Sequence, residues 1–175
     1  EKDYYFNPKF DEKRIAYYEY LVRTFRNIGE EDPRGAASRV MTFETYVAQL
    51  NWDVEQTRQI EKINNPMSSD ELVAYAPGVD WAAFFDGHNI PPQDRIIVTD
   101  NTAIKAIAEL FASTDLETLQ LWQKARVTHQ ASPYLNAGMV ESRFRYTSAL
   151  NGTSEQRARW KRAVDTIDGS LGELV

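Results

Sequence analysis

Apolar residues along this chain recur mostly at three- and four-residue intervals, the period of a helix face and not of a strand. Tyr18, Leu21, Val22, Phe25 and Ile28 form one such stripe, opened upstream by Asn7-Pro8 and stopped by Gly29. A second long helix is predicted from Asp32-Pro33 to about Ile63. Val40, Phe43, Val47, Leu50 and Val54 make its buried face, and Glu55 to Lys62 is polar and solvated. The short connection between the two makes them antiparallel neighbours. Ahead of them, Asp3 to Phe6 reads as an irregular aromatic segment, tied down by burial of Tyr4, Tyr5 or Phe6.

The stretch from Asn65 to Trp81 punctuates this pattern. Pro66 cannot donate to a helix and pushes Asn65 into an extended conformation. Ser68 with Glu71 is a capping box, and the helix it opens ends near Tyr75, where Pro77 cannot continue it and Gly78 permits a turn. Asp80 caps the next segment, Trp81 to Phe85, and His88 to Pro92 is a loop. Arg95 to Thr99 is the one strand candidate, either isolated or an edge in search of a partner.

Helical patterning then resumes. Asn101 caps a helix with Ile104, Ile107, Ala108 and Phe111 on its face, and Thr114 with Glu117 boxes the start of another running through Leu116, Leu119 and Trp122 to His129. Ser132-Pro133 opens the next, carrying Leu135, Met139, Phe144, Thr147 and Leu150, and Asn151-Gly152 breaks it. Thr153 with Gln156 caps the last, whose face is Trp160, Ala163, Val164, Ile167, Leu171 and Leu174. Trp81, Trp122 and Trp160 are assigned to the core. The prediction is an all-α fold forming a single helical domain over residues 1–175, with at most one short extended segment at about 95–99.

Composition narrows the function classes. With 42% hydrophobic and 12% aromatic residues over 175 positions, the chain is long enough for one sizeable core and too apolar for disorder. No apolar run approaches the roughly 20 residues of a membrane span. The opening Glu-Lys-Asp-Tyr-Tyr has neither the basic nor the apolar region of a signal peptide, and the absence of an initial Met suggests a piece of something longer. A net charge of -6 with no polybasic stripe argues against nucleic acid and anionic membrane as partners. With no cysteine, disulfides, thiolate catalysis and cysteine-based zinc sites are excluded, while the compartment stays open.

Reactive constellations are scarce. His88 sits in a loop and His129 at a helix end, with no His-Glu-x-x-His spacing, so neither reads as a metal ligand. There is no Gly-x-Ser-x-Gly elbow and no phosphate-cradling glycine loop. Glu30-Glu31-Asp32 reads as an acidic helix start complementing the dipole, not as an acid–base pair. Lys161 and Arg162 flank the apolar Trp160 and are either a solvated helix face or contacts to a partner or substrate. Intrinsic catalysis is not expected.

Several pieces, in order, nevertheless carry a resemblance. Asp3-Tyr4-Tyr5 is followed by Asn65-Pro66-Met67, Leu72, Ala76-Pro77-Gly78 and Asp80-Trp81. Then come Ser113-Thr114 with Leu116-Glu117-Thr118 and Trp122, Pro133-Tyr134-Leu135, Leu150 to Thr153, Trp160-Lys161-Arg162, and Asp168-Gly169 through Gly172-Glu173. Together these resemble the amino-terminal region of the neprilysin and endothelin-converting-enzyme family of zinc metallopeptidases, across nearly the whole chain. The resemblance implies a helical cap that, with a second lobe, encloses a chamber admitting peptides but not folded proteins. That lobe, in the same polypeptide, would carry zinc, His-Glu-x-x-His and the substrate-binding motifs, so no catalytic residue and no cofactor transfers to this chain. Asn65, Pro66, Met67, Pro77, Trp81, Trp122, Trp160, Asp168 and Gly169 match as mainly structural positions. Lys161 and Arg162 are expected to contact peptide carboxylates or the other lobe, because charge-assisted pairs suit both. The lone strand would pair or pack with the absent remainder. Animal members are rich in cysteine and glycosylation sites, whereas here Asn151-Gly152-Thr153 is the single sequon. A bacterial-type parent is expected, periplasmic or otherwise outside the cytoplasm. The alternative is a stand-alone helical interaction module without a peptidase lobe.

Overall fold

The computed structural model describes residues 2–172, leaving aside the side chains of Ser170 and Leu171. The face positions Leu171 and Leu174 expected on the last helix therefore lie outside the described side chains. The fold is all-α. The helices are α1 (Asp3–Phe6), α2 (Asp11–Asn27), α3 (Pro33–Leu50), α4 (Ile60–Ile63), α5 (Ser69–Tyr75), α6 (Trp81–Gly87), α7 (Asn101–Ser113), α8 (Leu116–Ala131), α9 (Ala137–Asn151) and α10 (Arg159–Leu171). The segment Asp3–Phe6 is thus a helical turn, not irregular.

The core lies where α2 meets α3, α8 and α9. Leu21, Val22 and Phe25 interlock with Ala36, Ala37 and Val40 of α3 and with Leu121 and Ala125 of α8. The alanines let the helix backbones approach closely. Of the predicted stripe Leu21, Val22 and Phe25 are buried and Tyr18 half-buried, while Ile28 lies past the end of α2 and is exposed. The end is a left-handed Gly29 at φ 82° that lets Glu30 N–H reach back to the Phe25 carbonyl at 3.0 Å.

α3 stops at Leu50, well short of Ile63. Asn51 turns extended; its backbone N–H makes the last ladder bond to the Val47 carbonyl at 3.2 Å, and its side-chain amide donates to the same oxygen at 3.0 Å. A 3-10 turn at Gln56–Arg58 and α4 follow, and Val54 is exposed instead of buried.

From Asn65 to Trp81 the chain follows its local signals. Ser68 accepts from Glu71 N–H while the Glu71 carboxylate accepts from Ser68 N–H, a complete capping box on α5. Asp80 accepts from Ala83 N–H to start α6. Gly78 lies so close to α7 that an added Cβ would overlap the Ala108 carbonyl. The lone strand candidate finds its partner inside this same stretch. β1 (Pro66–Met67) pairs antiparallel with β2 (Ile96–Ile97), Pro66 opposite Ile97 and Met67 opposite Ile96, with no need of polypeptide outside the chain.

Four helix starts differ from expectation. Ser132-Pro133 forms a separate 3-10 turn, and α9 begins after an Asn136 N-cap that accepts from Met139 N–H, so Leu135 precedes the helix and is exposed. The N-cap of α7 is Asp100, and Asn101 instead accepts from Thr102 N–H as the first helical residue. The N-cap of α8 is Asp115, which accepts from Thr118 N–H at 2.9 Å and from its hydroxyl at 2.8 Å. Thr114 is taken by the preceding helix, donating to Leu110 O, and Glu117 pairs with Arg39 of α3 at 2.5 Å. Thr153 also looks backward. Its N–H donates to Asn151 Oδ1 and its carbonyl accepts from Ser148 Oγ, so it closes α9, and α10 begins later, after an Ala158 N-cap with no side-chain bond.

Candidate functional site

The polar centre of the molecule forms around Glu44. It lies on the inner side of α3 between Val40 and Val47, and is only 8% exposed. A carboxylate so placed requires donors. Tyr5 Oη of α1 donates at 3.0 Å and Trp122 Nε1 of α8 at 3.1 Å, and the Tyr17 phenol of α2 lies near enough to feel its charge. One carboxylate thereby ties together three helices, α1, α3 and α8.

Beside it, Tyr20 of α2 brings its hydroxyl within 3.0 Å of His129 Nδ1 on α8, and its ring stacks on Tyr146 of α9 with centroids 4.9 Å apart. These rings wall a cavity of about 270 Å³. Its lining also carries three cations, Lys13, Arg14 and Arg126. Lys13 donates to the Leu150 carbonyl at 3.0 Å, and Arg14 donates to the Tyr4 and Asn7 carbonyls and pairs with Asp11. A wider recess of about 880 Å³ lies beyond Glu44, with Trp52, Asn51 and Trp122 in its wall and Arg126 shared between the two.

Electrostatics set the protonation states. Burial, with the Glu44 charge second, pushes the Tyr5 and Tyr17 phenols far above the ordinary tyrosine range. The same causes push Tyr146 up to about 12. Burial, helped by Arg143 and Arg126, pulls His129 below the usual imidazole value. At neutral pH the phenols are therefore protonated donors and the imidazole is neutral. A phenol held this way is a poor base and a poor nucleophile, and its work here is to hold a carboxylate and a fold.

The residues singled out from the sequence are dispersed. Asn65 is a structural clamp, its side-chain amide donating to the Val98 carbonyl at 3.1 Å while its own carbonyl accepts from Val98 N–H at 2.9 Å. Pro66 and Met67 are β1, and Pro77 sits exposed in the turn between α5 and α6. Trp81 donates to the Ala76 carbonyl at 2.7 Å, and Trp122 packs on the core while serving Glu44. Trp160 is not core. It is 66% exposed on α10, because α10 makes no extensive packing with any other described element. Lys161 reaches over the Trp160 ring at 5.4 Å, Arg162 is half-buried, and Asp168 and Gly169 are exposed further along.

The acidic trio also separates, Glu30 pairing with Lys124 at 3.0 Å and Asp32 capping α3. His88 bonds locally to the Phe84 carbonyl at 2.8 Å. Among the described residues no three His, Asp or Glu side chains converge as a metal site needs, so the donor set present does not fit zinc. Sequence reasoning missed Glu44 and its tyrosines. The available signal was a carboxylate inside an apolar stripe, three and four positions from Val47 and Val40.

Comparisons with known proteins agree along the whole length. The family model of Peptidase family M13, in its N-terminal part, matches residues 1–175. Human endothelin-converting enzyme 1 is 27% identical over 98% of this chain and 23% of its own length, and the rat enzyme 26% over 98% and 24%. Neprilysin-2 of Drosophila melanogaster is 24% identical over 91% of the chain and 21% of its own. The zinc metalloprotease Zmp1 of Mycobacterium tuberculosis, solved with an inhibitor, shares the fold at a TM-score of 0.92 and 24% identity over 98% of this chain and 27% of that one. Its open state gives a TM-score of 0.90. The chain thus spans about a quarter of the length of the relatives it matches, and by the match of the family model over all its residues it belongs to Peptidase family M13.

Proposed function

We propose that this chain is the non-catalytic helical cap portion of a neprilysin-like zinc metalloendopeptidase. In this reading residues 1–175 form one helical unit of a longer, bacterial-type polypeptide. The rest holds the zinc and the catalytic groups, and the cap closes the chamber so that peptides enter and folded proteins do not. The observation that carries the reading is the family match over the whole chain, set against relatives of which it covers only 24% or less. Zinc, when bound in the remainder, would supply the Lewis acid for peptide hydrolysis. The contribution of this chain is access.

Rigidity supports that role. A wall that selects by size must not yield, and the Glu44 carboxylate of α3, bonded to α1 and α8, braces it. Lys161 and Arg162 are proposed as contacts to peptide carboxylates or to the rest of the polypeptide, since charge-assisted pairs suit both. Asn65, Pro66, Met67, Pro77, Trp81 and Trp122 are assigned to holding the cap together.

The test is zinc-dependent peptide hydrolysis by the full-length gene product beside this chain alone. Activity in the full-length protein only, abolished by a chelator, is the expected result. Activity in neither favours a stand-alone helical interaction module. Zinc-dependent turnover by this chain alone would overturn the cap reading.

A further inference from the structure

We propose that the exposed apolar stripe of α10, formed by Trp160, Val164 and Ile167, is a docking face covered by a segment of the same polypeptide outside residues 1–175. These side chains recur at helical spacing and are 66%, 56% and 61% exposed. The helix carrying them stands apart. Every residue from Gly152 to Trp160 is exposed, and α10 packs extensively against no other described element. Its side-chain bonds are local, Arg157 pairing with Asp165 at 2.7 Å and Thr166 Oγ1 donating to the Arg162 carbonyl at 3.0 Å. A helix of 13 residues on its own is marginal in water, because nucleation is costly and its apolar face gains nothing from burial. Such a stripe on such a helix requires a cover.

The occupant follows from area, charge and tethering. Three side chains offer well under the ~800 Å² per partner that a stable dimer interface buries, so a second copy is a poor fit. A helix lying on an anionic membrane surface presents a basic polar face. Here Arg159, Lys161 and Arg162 are offset by Asp165 and Asp168. A tethered segment has neither difficulty, because an effective concentration on the order of millimolar lets a small face bind. The relatives matched have about three-quarters of their length outside the matched stretch, the chain covering 24% of the rat enzyme. The inference rests on the reading that this chain is part of such a longer polypeptide.

The experiment places a photo-crosslinking amino acid at Val164 in the full-length gene product, with the same group at exposed Asp168 as a control, and maps products by mass spectrometry in a mixture of light- and heavy-isotope protein. Cross-links from position 164 to a peptide outside residues 1–175, without mixed-isotope pairs and at several times the control yield, are expected. Mixed-isotope pairs would assign the face to a second copy, and partners within residues 2–151 would mean that α10 folds onto its own body. A yield no better than the control would leave the face open to solvent. Each of these outcomes overturns the proposal. Amide exchange across residues 159–169 gives a second readout, expected to be at least tenfold slower in the full-length protein than in this chain. Peptide hydrolysis in the same preparation separates the two proposals. Zinc-dependent activity without the cross-link sinks the docking face alone, and the cross-link without activity sinks the peptidase reading alone.

Discussion

Glu44 concentrates the energetics of this molecule at one residue. Its carboxylate accepts from Tyr5 and Trp122, and replacement by alanine strands those donors in a site only 8% exposed. Glu44→Ala should therefore lower unfolding free energy by about 2–4 kcal/mol, read by urea denaturation, with Glu44→Gln costing less because one acceptor oxygen remains. A loss within ~0.5 kcal/mol, as at an ordinary surface site, would mean that the cluster does not hold the helices together. The pH dependence has two flanks of opposite sign. His129 is depressed when folded, so its stability contribution is full above the unfolded value near 6.5 and is lost as pH falls through the folded value. Tyr146 is raised to about 12 from 10.0, so its contribution is present below 10.0 and lost as pH rises through about 12. Stability measured from pH 5 to 8 should fall on the acid side in the wild type and fall less in His129→Gln; an unchanged acid flank in that variant would assign the loss to other groups.

At the scale of elements, local chemistry was largely legible. The capping box on α5 and the Asp80 cap on α6 stand where Ser68-x-x-Glu71 and Asp80 predict, because a cap depends on a few adjacent residues. Ser68→Ala should cost about 1 kcal/mol of stability, measured by thermal unfolding. Gly78→Ala should cost about 1–3 kcal/mol, for a reason invisible in the sequence: the added methyl group meets the Ala108 carbonyl of a helix some thirty residues away. Full retention of stability there would mean that the turn and α7 can separate freely. Where neighbouring residues compete for one role, the sequence was ambiguous. Thr114 and Asp115 are both good caps, and Asp115 prevails because the Thr114 hydroxyl is taken by Leu110 O. Likewise β1 and β2 carry no signal of each other, since their pairing joins residues 66–67 to 96–97 through the fold.

At the scale of the whole molecule, α10 is the feature out of balance. Its stripe is apolar and uncovered in this chain, so residues 1–175 alone should bind a hydrophobic dye such as anilinonaphthalene sulfonate. Val164→Lys, which places a charge in the middle of the stripe, should reduce that dye fluorescence by roughly half while leaving the far-ultraviolet helix signal in place. Unchanged dye binding would locate the exposed apolar surface elsewhere, for example at Phe84 or Val73. The intact stripe of α2 and the bare stripe of α10 look alike as patterns, and only the surroundings distinguish them.

The sequence by itself determined the helix class, most helix faces, the caps at Ser68 and Asp80, the helix start at Asp32-Pro33, and the family resemblance carried by motifs in order. These depend on residues within one or two turns of each other, where spacing and backbone chemistry suffice. The tertiary structure alone decided that Glu44 is the hub of Tyr5 and Trp122, that Ile96–Ile97 pairs with Pro66–Met67, and that Trp160 lies outside the core. Periodicity says that a helix face is apolar and not what covers it, because burial is a relation between distant parts of the chain.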